Sequence, residues 1–171
     1  MDFNAAAYLL SQGANLNTIS DMISREISPQ QVALLNDMIQ ASTRYSINGI
    51  DVVLTMVSTN NYVHDLAFLV QKIVKMENLE AIFMLARMGH KIYVIARSRI
   101  PEVDVGKVLS CFGGGGHSYA ASANIKNLTL AQTEQQILNL LYKNIKSRRL
   151  AKDFMSFPPI TITPEMSCKE A

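Results

Sequence analysis

Charge is scarce in this chain. Asp, Glu, Lys and Arg make up 18% of it, against about 25% in an average globular protein. Part of its surface must therefore be made of something else. The net charge of +2 is too small to argue for nucleic acid by itself. Only two cysteines are present, Cys111 and Cys168, far apart and without a CxxC pair. They fit reduced thiols in a cytoplasmic protein and not a disulfide framework. No apolar run approaches about 18 residues, which excludes a membrane-spanning helix. The start, Met1-Asp2-Phe3-Asn4, lacks the basic region of a signal peptide. The three histidines, His64, His90 and His117, offer no pair at metal-ligand spacing. What is abundant is apolar side chain, 49% of the 171 residues, which rules out disorder and supports one core with a few tens of residues to spare.

Local patterns divide the chain. Phe3, Ala6, Ala7 and Leu10 recur at helical spacing, and Gly13 sits where a C-terminal cap belongs. Asn17 is expected to cap a short helix burying Ile19, Met22 and Ile23. Ser28-Pro29-Gln30-Gln31 opens another, which presents Val32, Leu35, Met38 and Ile39. From Arg44 extended segments take over, with Asn48-Gly49 as a tight turn before Ile50 to Val57. Asn60-Asn61 would cap a helix through Lys75 carrying Val63, Ala67, Val70 and Val74. Leu79 to Arg87 and Lys91 to Ser98 read as strands, and Asp104 opens a short helix with Val105, Val108, Leu109 and Phe112. Ala121 to Ile125 reads as a further strand. Thr129 and Gln132 open a long amphipathic helix that ends among Lys143, Lys146, Arg148 and Arg149. This order implies an α/β domain, a mixed β-sheet flanked by helices, over residues 42–150 and preceded by N-terminal connecting helices.

Gly113-Gly114-Gly115-Gly116-His117 is the most informative segment. Four successive glycines carry a large backbone entropy cost. Their N–H groups can form an anion-binding nest, and a helix beginning near His117 would add positive partial charge there. His117 can donate to a phosphate oxygen, and Ala120 and Ala121 are small enough for close approach. The alternative is a plain turn. Lys-Ser/Thr does not follow the glycines, so this is not a Walker A loop. No strand directly precedes them, as a dinucleotide fingerprint requires. Gly116-His117-Ser118-Tyr119-Ala120 has the outline of a nucleophile elbow, but no histidine follows to complete a triad. Arg97, at a strand end, has the fork that suits phosphate.

Several segments together resemble a known family. They are Ile95-Ala96-Arg97-Ser98-Arg99, Val103-Asp104-Val105-Gly106, Phe112 to His117, and Ala120-Ala121-Ser122-Ala123. They are similar to the substrate-binding, DHH-associated domain of DHH-family phosphoesterases. The resemblance implies that residues 1–41 are the end of a preceding DHH domain and its connecting helices. It also implies that 151–171 are a linker and the truncated start of a CBS domain. DHH, DHH-associated, CBS and poly(A)-polymerase-like domains occur together in one bacterial architecture, so the chain reads as an excised middle piece.

The same resemblance assigns substrate binding to Arg97, Ser98, Asp104, Gly114, Gly115, Gly116, His117, Ala120 and Ala121. The Asp-His-His motif is missing, so no catalytic or metal-binding residue is expected here. Manganese or another divalent metal would belong to the absent catalytic domain. The expected function is a phosphate-binding module for a short oligonucleotide or nucleotide, inactive alone, in a parent that is a phosphoesterase, a nucleotidyltransferase or both. The alternative is a structural, homodimer-forming or regulatory relay module of a poly(A)-polymerase-like nucleotidyltransferase protein. Either way the partners are the DHH and CBS domains of the same chain, with no membrane involved.

Overall fold

The computed structural model describes residues 3–23, 27–59, 62–146, 154–158 and 166–167. Three helices come first: α1 (Phe3–Ser11), α2 (Leu16–Ile23) and α3 (Pro29–Gln40). Then follow β1 (Ser42–Ile47), β2 (Ile50–Thr59), α4 (Leu66–Met76), β3 (Ala81–Met88), β4 (Lys91–Ser98), α5 (Val105–Ser110), β5 (Gly115–His117), β6 (Ala120–Ile125) and α6 (Leu130–Asn144). The strands form one mixed sheet in the order β1-β2-β3-β4-β6-β5. Among the described strands only β2 and β3 run parallel, which is why a helix, α4, connects them.

Strand alternation gives the sheet two apolar faces. Val52, Leu54, Phe83, Leu85, Val94 and Ala96 bury one face against Leu109 of α5 and Ile137 and Leu141 of α6. Val53, Val57, Ile82, Met84 and Ala86 bury the other against Met38 of α3 and Leu69, Val70 and Ile73 of α4. On this second side, β6 and β5 are left largely uncovered: Ser122, Asn124, Gly115 and His117 are all exposed.

Local chemistry sets most of the ends. Ser28 and Gln31 form a reciprocal capping box on α3, and Thr129 and Gln132 do the same on α6. Asn48 and Gly49 both have positive φ in the β1–β2 turn, and the Asn48 amide donates to Ile145 O at the end of α6. Four expectations are corrected. Asn15, not Asn17, caps α2, accepting from Asn17 N at 2.9 Å. Ile19 is exposed, while the side chains of Met22 and Ile23 lie outside the described residues. On α3 the buried pair is Leu34 and Met38, and Val32 is 52% exposed. The helix placed from Asn60-Asn61, two residues outside the described set, begins at Leu66. Val63 is buried, but in the connecting segment before α4.

Apolar side chains are exposed toward both ends of the described chain. Phe3, Tyr8, Leu9, Leu10 and Leu16 are exposed near the N-terminus, and Phe154, Met155 and Phe157 near the C-terminus.

Candidate phosphate-binding site

Register, more than sequence proximity, assembles the site. Arg97 on β4 is paired with Ala120 on β6, and Ala120 with His117 on β5. Residues in such a cross-strand row project to one face, and the outer two strands are about 10 Å apart. The long Arg97 side chain and the His117 ring therefore flank a methyl-sized floor on the uncovered face. The next row is Ile95, Ser122 and Gly115. A cleft of about 280 Å³ opens here, lined by Arg97, Gly115, Gly116, Ala120, Ala121 and Ser122, with Ala67 and Ile95. Ser122 lines the cleft although no motif marks it for binding. The two-residue period from Ala120 is the signal that finds it.

Arg97 Nε is buried and has no hydrogen-bond partner among the described residues. A buried donor left unmatched costs about 1–3 kcal/mol. An anion in the cleft would remove that penalty and match the guanidinium geometry.

The glycines divide their work in a way the sequence did not show. Gly113 N–H donates to Ser110 O at 3.0 Å and Gly114 N–H to Leu109 O at 3.0 Å. With Gly113 at φ 70, these two bonds are the Schellman ending of α5. The Gly114 donor therefore faces a helix end and not a ligand, which corrects the nest reading for that residue. Gly115 to His117 form a strand, not the start of a helix, so no helix N-terminus stands at His117. Ser118 and Tyr119 make the hairpin turn, and Ser118 O accepts from Val105 N. That geometry is not the strand-to-helix elbow of a serine hydrolase.

Two other expected residues point elsewhere. Ser98 alternates to the opposite face from Arg97, where its hydroxyl donates to Ile100 O at 2.8 Å and accepts from Ile100 N. Asp104 is the N-cap of α5, accepting from Lys107 N at 2.9 Å. It lines a separate cavity of about 660 Å³ between α5 and α6, beside Lys107 and Lys146. The cleft thus brings together Arg97, Gly115, Gly116, Ala120 and Ala121, with His117 in the same cross-strand row but outside its lining, and not Ser98 or Asp104.

Among the described residues, no group of three or more His, Cys, Asp or Glu is placed to hold a metal ion. The divalent metal implied by the family has no fitting donor set in these residues. No helix among them is long and apolar enough to cross a membrane. Cys111 is exposed and free.

A mixed sheet with this strand order and a GGGH hairpin beside an arginine defines the class. The chain belongs to the DHHA1 domain family, whose profile matches residues 49–147, more than half of it. This is the domain type associated with DHH-family phosphoesterases. The resemblance carried by the Arg97, Asp104 and His117 segments is therefore correct at family level. Among curated proteins, the chain is 42% identical to the A-adding tRNA nucleotidyltransferase of Geobacter sulfurreducens over 99% of its length and 19% of that protein's. It is 29% identical to the A-adding tRNA nucleotidyltransferase of Aquifex aeolicus, over 99% of its length and 20% of that protein's. The chain thus spans about a fifth of the length of these relatives. Among solved structures, an exopolyphosphatase-related protein from Bacteroides fragilis shares the fold. Its TM-score is 0.68 at 17% identity, covering 82% of this chain and 42% of that one.

Proposed function

We propose that this chain is the phosphate- and oligonucleotide-binding module of a larger metal-dependent phosphoesterase of the DHH family. Arg97 and His117 hold a substrate phosphate above Ala120, and the bare Gly115 backbone lets it approach. The unmatched, buried Arg97 Nε in a row with His117 supports this reading most directly. A separate domain of the parent protein supplies manganese or another divalent metal, while these contacts fix position. Residues 1–41 and 151–171 belong to the neighbouring DHH and CBS domains, and the setting is the cytoplasm. The test is calorimetric titration of Arg97→Ala and His117→Ala variants with AMP and a short oligonucleotide. Each should bind at least tenfold more weakly than the unaltered chain, since a hydrogen bond to a charged group contributes about 1.5–3 kcal/mol. Unchanged affinity in both removes the site.

A second reading draws support from the 42% identity to an A-adding tRNA nucleotidyltransferase. In it the domain is a structural, dimerising or relay module of a poly(A)-polymerase-like protein. Self-association without any phosphate binding would favour it.

A further inference from the structure

The same face continues past the phosphate row, where Tyr93 and Ile95 of β4 are partly buried against the second core cluster and Ser122 and Asn124 of β6 are exposed. Alternation along β4 puts Lys91, Tyr93, Ile95 and Arg97 on one side. On β6, Asn124 stands opposite Tyr93, Ser122 opposite Ile95 and Ala120 opposite Arg97. Tyr93 lies four residues from Arg97, about 13 Å along the strand. The strands β4, β5 and β6 carry Lys91, Arg97 and His117 but no Asp or Glu. Lys91 and Arg97 supply the positive charge of this strip, small and amide side chains form its floor, and Asp65 at the start of α4 is the acidic residue of the adjoining segment.

An aromatic group stands at its far end. The Tyr62 ring meets Tyr93 edge-on, with centroids 6.0 Å apart and planes at 68°. His64 meets Tyr62 at 4.8 Å and 86°. Tyr62 is 58% exposed, yet rings brace it on two sides. The segment that carries it is anchored. Val63 is buried, and the Gln31 side-chain amide donates to His64 O at 3.1 Å. An exposed tyrosine held this way offers a flat surface with little further entropy to lose.

Basic side chains that grip the backbone and an aromatic ring that stacks a base are the two parts of a single-strand nucleic-acid surface, and Arg97 with Lys91 and the braced Tyr62 ring supply them on this face. We infer that Tyr62, backed by Tyr93 and His64, is a base-stacking subsite for a single-stranded oligonucleotide. The oligonucleotide's phosphate lies at Arg97 and His117, so the inference rests on the phosphate reading above and extends it. The span from Arg97 to Tyr93 is longer than the reach from a nucleoside's base to its own phosphate. The stacked base and the gripped phosphate are accordingly assigned to different nucleotides, so that the module takes a strand in preference to a mononucleotide. Stacking engages the π-face common to every base, so the subsite tolerates any sequence.

Three ligands separate the parts: 5′-phosphorylated five-residue oligoadenylate, the same strand with abasic sugars after its first residue, and AMP. Titrating them into the full 171-residue chain and its variants gives the test. Tyr62→Ala should weaken the oligoadenylate about tenfold, the order expected for one stacked base. Tyr62→Phe should bind as the unaltered chain does. AMP and the abasic strand should be indifferent to Tyr62→Ala, while Arg97→Ala should weaken every ligand. Equal oligoadenylate binding by the unaltered chain and Tyr62→Ala, with Arg97→Ala weakened, overturns the stacking subsite and leaves the phosphate site standing. Equal affinity of the unaltered chain for intact and abasic strands overturns it independently of any variant's folding. An AMP loss in Tyr62→Ala as large as the oligoadenylate loss overturns the two-nucleotide arrangement. Indifference of all ligands to Arg97→Ala overturns both readings.

Discussion

Alanine at Gly116 should undo the β5–β6 hairpin, while alanine at Gly115, one residue away, should leave the fold intact and damage only binding. The backbone at Gly116 has φ 145, and an added Cβ would meet Ala120 O and lie 2.6 Å from Ala121 Cα. No flexible side-chain tip is there to give way, because both neighbours are backbone. Overpacking of this kind costs about 1–3 kcal/mol, and holding a non-glycine residue at such a φ adds roughly 1 kcal/mol or more. The sum is about 2–4 kcal/mol. With a urea m-value of about 2 kcal/mol/M, the midpoint should fall by about 1–2 M. At Gly115 an added Cβ would find nothing within 4 Å. There Gly→Ala should be neutral or stabilise by up to about 1 kcal/mol through the unfolded chain. The added methyl enters the cleft beside Arg97 and Ser122, so AMP and oligonucleotide binding should weaken severalfold. Urea denaturation followed by circular dichroism, with calorimetric titration of the same samples, reads both effects. Equal midpoints for the two variants would refute the steric reasoning, and full ligand affinity in Gly115→Ala would refute the placement of the cleft.

Other outcomes follow from single contacts. Arg97→Met should keep or slightly raise the stability of the ligand-free chain, because it removes a buried donor without a partner among the described residues. The same change should abolish the rise in melting temperature that phosphate ligands give the unaltered chain. The Tyr45 hydroxyl donates to the Glu134 carboxylate at 2.9 Å. That bond first, then burial and the Glu134 charge, raises its pKa above the ordinary value. Its stabilisation is therefore complete below pH of about 10 and lost as pH rises through the raised pKa. Tyr45→Phe should cost about 1 kcal/mol at neutral pH and flatten the alkaline fall in urea midpoint. Thr129→Ala removes the capping hydroxyl of α6. It should cost about 1 kcal/mol by the same assay.

Elements with local causes were legible. The capping boxes at Ser28 and Thr129 and the Asn48-Gly49 turn need only residues three or fewer positions apart, and the structure contains all three. Misreadings arose where a local pattern admits two answers. Val63 fits the helical stripe of α4, yet it is buried from a segment whose carbonyl at His64 is tied to Gln31, far off in sequence. Val32 fits the stripe of α3, but docking against β2 selects Leu34 and Met38. There the Thr55 and Ser42 hydroxyls both donate to Met38 O. Glycines suit a nest, a helix start or a hairpin equally. The ending of α5 and pairing with β6 decide among them.

The sequence alone determined the α/β class, the family and the identity of the phosphate-binding candidates, because caps, alternation and a specific run of residues survive in one dimension. Only the tertiary structure decided which candidates meet. Strand β6 inserts between β4 and β5, so Arg97 and His117 come to flank Ala120. The pleat turns Ser98 away from its neighbour Arg97, and the α5 cap holds Asp104 at another cavity. Strand order and register are long-range pairings, and no local propensity encodes them.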